Sequence, residues 1–193
     1  NFATNFDDTI IIGTAYTGNA TIFARDGNDA ITGGNGTNTI LGEGGIDTIT
    51  GGNLGDNLQG GAGDDILSGL VGGDSLSGDA GIDLISGGLG NDSISGGTEN
   101  DTLSGNEGDD SLNGNDGDDT LNGELDNDTL NGGAGANILN GNEGNDTINV
   151  TSGTDTVDGG TGTDSLNFNL SSLLAAVNID LTNNWTGGSG TLG

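Results

Sequence analysis

Gly78-Asp79-Ala80-Gly81-Ile82-Asp83-Leu84-Ile85-Ser86 is one of sixteen consecutive nine-residue units that run without a slip in register from residue 24 to residue 167. A second, Gly60-Gly61-Ala62-Gly63-Asp64-Asp65-Ile66-Leu67-Ser68, carries both leading glycines. With each unit numbered 1 to 9, position 8 is Ile, Leu or Val all sixteen times, from Ile31 through Leu76 to Leu166. Position 6 is Asp fourteen times and Asn twice, at Asn38 and Asn137. Gly fills position 1 in fourteen units and position 4 in thirteen. A fixed period with this chemistry implies a stacked repeat, because one unit alone has no core to bury.

Composition taken without the period would describe a disordered acidic chain. The formal net charge is -29, Arg25 is the one basic side chain, and aromatics make up 3%. One buried aliphatic per nine residues does not offset the entropy of ordering a glycine-rich backbone. Something must therefore also neutralise the carboxylates. Without Cys there is no disulfide framework and no thiolate metal site. No apolar run approaches the length of a membrane-spanning helix, so no membrane insertion is expected. The acidic surface argues against nucleic acid and anionic membranes as partners. Residues 1–12 show neither a basic start nor a cleavage site, and the first residue is not Met, so the chain reads as a segment or a processed product.

Each unit divides into a turn and a short strand. Positions 1 to 5 are Gly, Asn, Asp and small residues, which suit tight turning. Positions 7 to 9 alternate polar, aliphatic, polar, as in Thr120-Leu121-Asn122, which is a half-buried strand with one side chain inward. The expected fold is all-β: a right-handed parallel β-roll, or β-solenoid, with two nonapeptides per coil and about eight coils. Each strand pairs with the one 18 residues later, and coils spaced at about 4.8 Å give a rod roughly 40 Å long. Three regions follow: 1–23, partial repeats; 24–167, the roll; 168–193, capping strands or a junction to a following unit. In the first, Asn5-Phe6-Asp7-Asp8-Thr9-Ile10 and Gly18-Asn19-Ala20-Thr21-Ile22 are partial units separated by about three inserted residues, with Ala20 at the Asp position. In the last, Leu166, Phe168 and Leu170 continue the alternation, residues 171–176 suggest a helical turn, and Val177, Ile179 and Leu181 alternate again. With Trp185 this tail is expected to cover the end of the roll.

The pattern G-G-x-G-x-D-x-U-x resembles the calcium-binding nonapeptide of the RTX (repeats-in-toxin) proteins, and sixteen copies in phase make the resemblance specific. It implies Ca2+ between successive turns, with position 6 carboxylates supplying side-chain oxygens and turn carbonyls the rest. The metal ligands so implied are Asp29, Asp47, Asp56, Asp65, Asp74, Asp83, Asp92, Asp101, Asp110, Asp119, Asp128, Asp146, Asp155 and Asp164. The physics agrees: Ca2+ takes six to eight hard oxygen ligands, and glycine turns let carbonyls converge. Up to about fourteen ions fit the gaps between coils, a charge close to the formal -29. Sites that depart from the pattern are marked by Leu54, Glu99 and Asp126, which replace the position 4 glycine, and by Asn38 and Asn137.

Similar signals fall away. Gly87-Gly88-Leu89-Gly90 lacks the helix and Lys of a phosphate loop, and Asp116-Gly117-Asp118-Asp119 lacks the spacing and closing Glu of an EF-hand. With no His, Cys or Lys, acid–base catalysis would fall to carboxylates the ion already needs, so no enzyme is expected.

The resemblance leaves three functional readings. The first is an extracellular structural protein, a Ca2+-stiffened segment of a surface-layer, adhesin or filament assembly that folds after secretion. Joining Gly193 to Asn1 would read as an uninterrupted repeat passage, which suggests tandem copies or end-to-end self-association. The second is the secretion and folding module of a larger toxin, protease or lipase exported by the type I route of Gram-negative bacteria. The third is ice binding, which some similar proteins achieve with outward Thr rows; here only Thr48-Ile49-Thr50 fits. Position 7 on one face is wholly polar (Thr39, Asn57, Ser75, Ser93, Ser111, Thr129, Thr147), while the other carries Ile66, Leu84 and Ile138. Outward Asn113, Asn131, Asn149 and Asn167 are placed to form an amide ladder.

Overall fold

The aliphatic column at position 8 organises the molecule. The structure, a computed structural model, describes residues 3–168. From Ile31 to Leu166 every position 8 side chain belongs to one buried cluster, joined at the N-terminal end by Ile22 and Ala24. Most of these side chains are fully excluded from solvent. They alternate between two walls because successive strands belong alternately to two parallel nine-stranded sheets.

The first sheet runs from Thr9–Ile11 to Thr156–Asp158, and the second from Ala20–Asp26 to Ser165–Phe168. Pairing follows the expected offset of 18, as in Ser93↔Ser111 and Ile94↔Leu112. At the start the offset widens, with Thr9 opposite Ala30, and this accommodates the three inserted residues between Ile11 and Ala20. The N-terminal partial units are therefore part of the roll, which gains a ninth turn. No strand pair is antiparallel, and no helix occurs among the described residues. None is long and apolar enough to cross a membrane.

The strands are longer than positions 7 to 9. Ser75–Ala80, Leu84–Leu89 and Ser93–Thr98 each continue through positions 1 to 3 of the next unit, leaving positions 4 to 6 as the turn proper. The left-handed conformation is shared between positions 2 and 4. At position 2 it is held even by non-glycine residues such as Glu43, Leu70, Asp79 and Asn115, with φ between 75 and 77°. At position 4, Glu99 and Asp126 keep the glycine-like φ at 74 and 76°, whereas Leu54 is absent from the left-handed set.

The two outer faces differ as their residues predict. Ile66, Leu84 and Ile138 are each about half exposed, and Leu70, Val71 and Leu89 add further apolar surface to the first sheet. The asparagine ladder forms in pieces. Asn131 Nδ2 donates to Asn113 Oδ1 and Asn167 Nδ2 to Asn149 Oδ1, each at 3.1 Å. The rung between them is missing, because Asn131 Oδ1 has no partner. A further rung joins Asn140 to Asn122 on the opposite sheet. The expected helical turn at 171–176, the strand through Val177, Ile179 and Leu181, Trp185 and the junction of Gly193 with Asn1 lie outside the described residues.

Candidate metal sites along the two edges

Position 6 side chains turn inward at the bends and are buried. All fourteen aspartates expected as ligands, from Asp29 to Asp164, are no more than 5% exposed. They fall into two columns, one per edge. Asp29, Asp47, Asp65, Asp83, Asp101, Asp119 and Asp155 line the first, with Asn137 among them. Asp56, Asp74, Asp92, Asp110, Asp128, Asp146 and Asp164 follow Asn38 on the second.

The two oxygens of each carboxylate have different surroundings. Oδ1 accepts a hydrogen bond from the backbone N–H of the position 6 residue one coil earlier: Asp65 N–H donates to Asp83 Oδ1 at 2.7 Å and Asp83 N–H to Asp101 Oδ1 at 2.8 Å. The second edge repeats this, with Asp74 N–H to Asp92 Oδ1 and Asp92 N–H to Asp110 Oδ1, both at 2.7 Å. Oδ2 is another matter. In thirteen of the fourteen aspartates, all but Asp164, it is buried and has no hydrogen-bond partner. A buried oxygen carrying charge and lacking a donor is costly, since the desolvation penalty is not returned.

The position 1 glycine explains where Oδ2 goes. A Cβ at Gly96 would lie 2.9 Å from the Gly114 carbonyl oxygen and closer still to Asp101 Oδ2. At Gly78 the same point lies 2.7 Å from the Gly96 carbonyl, again beside the carboxylate oxygen, here of Asp83. The glycine is required because the carboxylate takes the space a side chain would use. It also brings Oδ2 and a carbonyl oxygen of the next coil to one place, two acceptors with no proton between them. Position 4 glycines stack similarly: a Cβ at Gly45, Gly63 or Gly90 would strike the position 4 carbonyl oxygen of the preceding coil.

Burial accordingly raises the carboxyl pKa values. It pushes Asp65, Asp101 and Asp128 up to about 7, and Asp47, Asp74, Asp92 and Asp110 to about 6, against an ordinary 3.8. The N–H bond to Oδ1 opposes the shift, and neighbouring aspartates reinforce it. Asp83 and Asp119 move in the same direction, and for Asp83 the nearby Asp64, Asp79 and Glu99 contribute. The edges thus hold closely spaced acids that resist ionising unless a positive charge joins them.

A ladder at position 5 was not anticipated. Its side-chain oxygens accept from the N–H one coil later, opposite in sense to position 6. Asn91 Oδ1 accepts from Asp109 N–H, Asp109 Oδ1 from Asn127 N–H, Asn127 Oδ1 from Asn145 N–H, and Asn145 Oδ1 from Thr163 N–H. Doublets such as Asn91-Asp92, Asp109-Asp110 and Asn127-Asp128 were its signal in the sequence.

The two asparagines at position 6 behave differently from each other. Asn38 Nδ2 donates to the Gly36 carbonyl and Asp56 Oδ1 at 2.9 Å, and to the Gly34 carbonyl at 3.1 Å. Asn137 Oδ1 accepts from Asp119 N–H at 2.9 Å, and its Nδ2 is buried without a hydrogen bond.

Among the described residues no three acidic side chains converge on one point, so any cation here needs carbonyl oxygens as well. Orphaned carboxylate oxygens facing glycine carbonyls form an all-oxygen donor set, which suits a hard cation such as Ca2+. The model of the RTX calcium-binding nonapeptide repeat matches residues 14–49, 50–85, 68–103, 95–130 and 131–166. No curated protein matches the sequence.

Proposed function

Because this chain belongs to the RTX calcium-binding nonapeptide repeat family, we propose that it is a non-catalytic, extracellular structural module: a rod that folds and stiffens on Ca2+ after secretion and works within a surface-layer, adhesin or filament assembly. One observation carries the reading. Thirteen buried Oδ2 atoms line the two edges without a donor, so the roll is complete only when positive charge is supplied. The position 6 aspartates act as ligands through Oδ2, while Oδ1 stays on the neighbouring N–H and fixes the carboxylate plane. Bound Ca2+ supplies the charge that lets acidic turns stack. Extracellular Ca2+ modules work at Kd values of about 0.1–1 mM, so the chain stays expanded inside the cell and closes outside.

The N-terminal end supports assembly. Among the described residues, Thr9–Ile11 and Ala20–Asp26 are terminal strands of their sheets, each paired on one side. Between them opens a cavity of about 440 Å³ lined by Ile10, Ile11, Ile12 and Ile22 together with Asp8, Thr9 and Thr21. An end where, among the described residues, each sheet stops at a strand paired on one side is a template for another extended segment, and a second copy of the roll offers the same period. Circular dichroism and electron microscopy of the full chain at neutral pH test both parts. Millimolar Ca2+ should produce a β spectrum and end-to-end particles, and a chelator should abolish both. A β spectrum unchanged after complete chelation would refute the calcium-dependent rod, and discrete single rods in millimolar Ca2+ would refute the assembly.

A further inference from the structure

Where aspartate turns carry an orphaned oxygen, the Asn38 turn carries an amide nitrogen. Asn38 Nδ2 occupies the same place beside the position 1 glycine, 2.7 Å from where a Cβ at Gly33 would lie, with the Gly51 carbonyl oxygen 2.9 Å from that point. Its protons go to the Gly34 and Gly36 carbonyls and to Asp56 Oδ1, the types of oxygen that would otherwise surround a cation. Asn38 Oδ1 in turn accepts from Gly34 N–H at 3.3 Å. An amide –NH2 carries partial positive charge and two protons, so it reaches these three oxygens by sharing one proton, and it repels a metal ion; Asp56 Oδ1 also accepts from Asn38 N–H at 2.6 Å.

The neighbouring coil packs on this turn in the usual way, with Asn35 N–H donating to the Tyr16 carbonyl at 2.9 Å as Ala134 N–H does to Asn115 and a Cβ at Gly36 striking the Gly18 carbonyl as at other position 4 glycines. The insertion between the first two strands adds one contact, Asn35 Nδ2 to the Thr14 carbonyl at 2.5 Å. Neither Gly34 nor Gly36 takes the left-handed conformation usual at position 2 or 4, a departure shared by Gly52 and Leu54 of the Asp56 turn. One coil earlier, position 6 is Ala20, opposite Asn38. The second edge therefore begins with two uncharged residues, whereas the first begins with Asp8 and Asp29.

We propose that the Asn38 turn takes no Ca2+ and is instead closed by its own side-chain amide, a built-in substitute for the ion that caps the second edge at its N-terminal end. The proposal rests on the calcium reading of the other turns. Asn137 is the internal contrast. Its Nδ2 finds no acceptor in a turn where Gly133 and Gly135 are left-handed, so asparagine alone does not close a turn.

Native mass spectrometry of the full chain at saturating Ca2+ gives the first test. Asn38→Asp should bind one ion more than the wild type, and Asn38→Ala the same number as the wild type. Equal counts for Asn38→Asp and the wild type, or one fewer for Asn38→Ala, would overturn the proposal. The second readout needs no variant. In the Ca2+-loaded wild type, the Asn38 side-chain amide protons should exchange with solvent at least about tenfold more slowly than those of an exposed asparagine such as Asn57. Exchange as fast as Asn57 would overturn it. A wild type that takes up no Ca2+ at all would instead sink the calcium reading on which the proposal stands, and the ion count separates that failure from this one.

Discussion

Acid should fold this chain when calcium is absent and weaken it when calcium is present. Seven position 6 aspartates are pushed by burial to about 6 or 7 from 3.8. A carboxyl whose folded pKa is raised binds its proton more tightly in the folded chain, so its contribution favours folding at low pH. That contribution is fully present below the unfolded pKa and is lost as pH rises through the folded value. The window lies between about pH 4 and 7. Near pH 5 most of these groups are protonated when folded and ionised when unfolded, so folding takes up several protons and stability depends steeply on pH. So steep a dependence predicts a narrow transition. In excess chelator, dilute protein should gain a β spectrum as pH falls from neutral toward 5. In millimolar Ca2+ the sign reverses, because the ion needs the deprotonated carboxylate, and the Ca2+ midpoint should rise as pH falls over the same interval. A chelated chain that is disordered at pH 5, or a Ca2+ midpoint that does not move between pH 7 and 5, would refute the reasoning.

Two substitutions separate the roles of the repeat positions. Gly96→Ala puts a methyl against Asp101 Oδ2 and 2.9 Å from the Gly114 carbonyl; at fixed Ca2+ it should cost about 1–3 kcal/mol by thermal melting and remove at least one ion from the mass count. Leu103→Ala deletes a fully buried member of the aliphatic column; it should cost about 2–5 kcal/mol by the same melt but leave the ion count at saturation unchanged.

The period carried most of the fold because both of its structural demands are one-dimensional. An aliphatic at position 8 has one place to go once coils stack, so Ile31 through Leu166 could be put in the core from the sequence alone, and the offset of 18 followed. The buried aspartates were legible for a related reason, since a carboxylate repeated at each bend has to be accommodated along the edge. What escaped depended on backbone angles or on the neighbouring coil. Composition could not show that strands continue through positions 1 to 3, because Gly and Asn there read as turn. The opposed ladders of positions 5 and 6 needed the direction of each N–H, which the letters Asn91-Asp92 do not contain. Asn38 and Asn137 are the same residue at the same position of the period. Their difference goes with the backbone, since Gly34 and Gly36 lie outside the left-handed region that Gly133 and Gly135 adopt.

The division of labour within each carboxylate has a consequence for how the rod assembles. Because Oδ1 of Asp83 is held by the N–H of Asp65, and Oδ1 of Asp101 by that of Asp83, a carboxylate is aimed only after the coil before it has formed. Each turn therefore completes the site beside it, and the stack behaves as a chain of nearest-neighbour couplings, in which an isolated coil gains little and a growing one gains more with every addition. The position 5 ladder runs the opposite way on the second edge, from Asn91 to Thr163, so a new coil is also held by the side chains already in place. Opposed ladders let the roll extend from either end, and the uncharged start at Ala20 and Asn38 makes the two ends of the second edge unequal. Along that edge, coils near Asn38 begin against a turn whose side-chain amide reaches protein acceptors, whereas coils farther on meet aspartate turns whose Oδ2, from Asp56 to Asp146, has no hydrogen-bond partner.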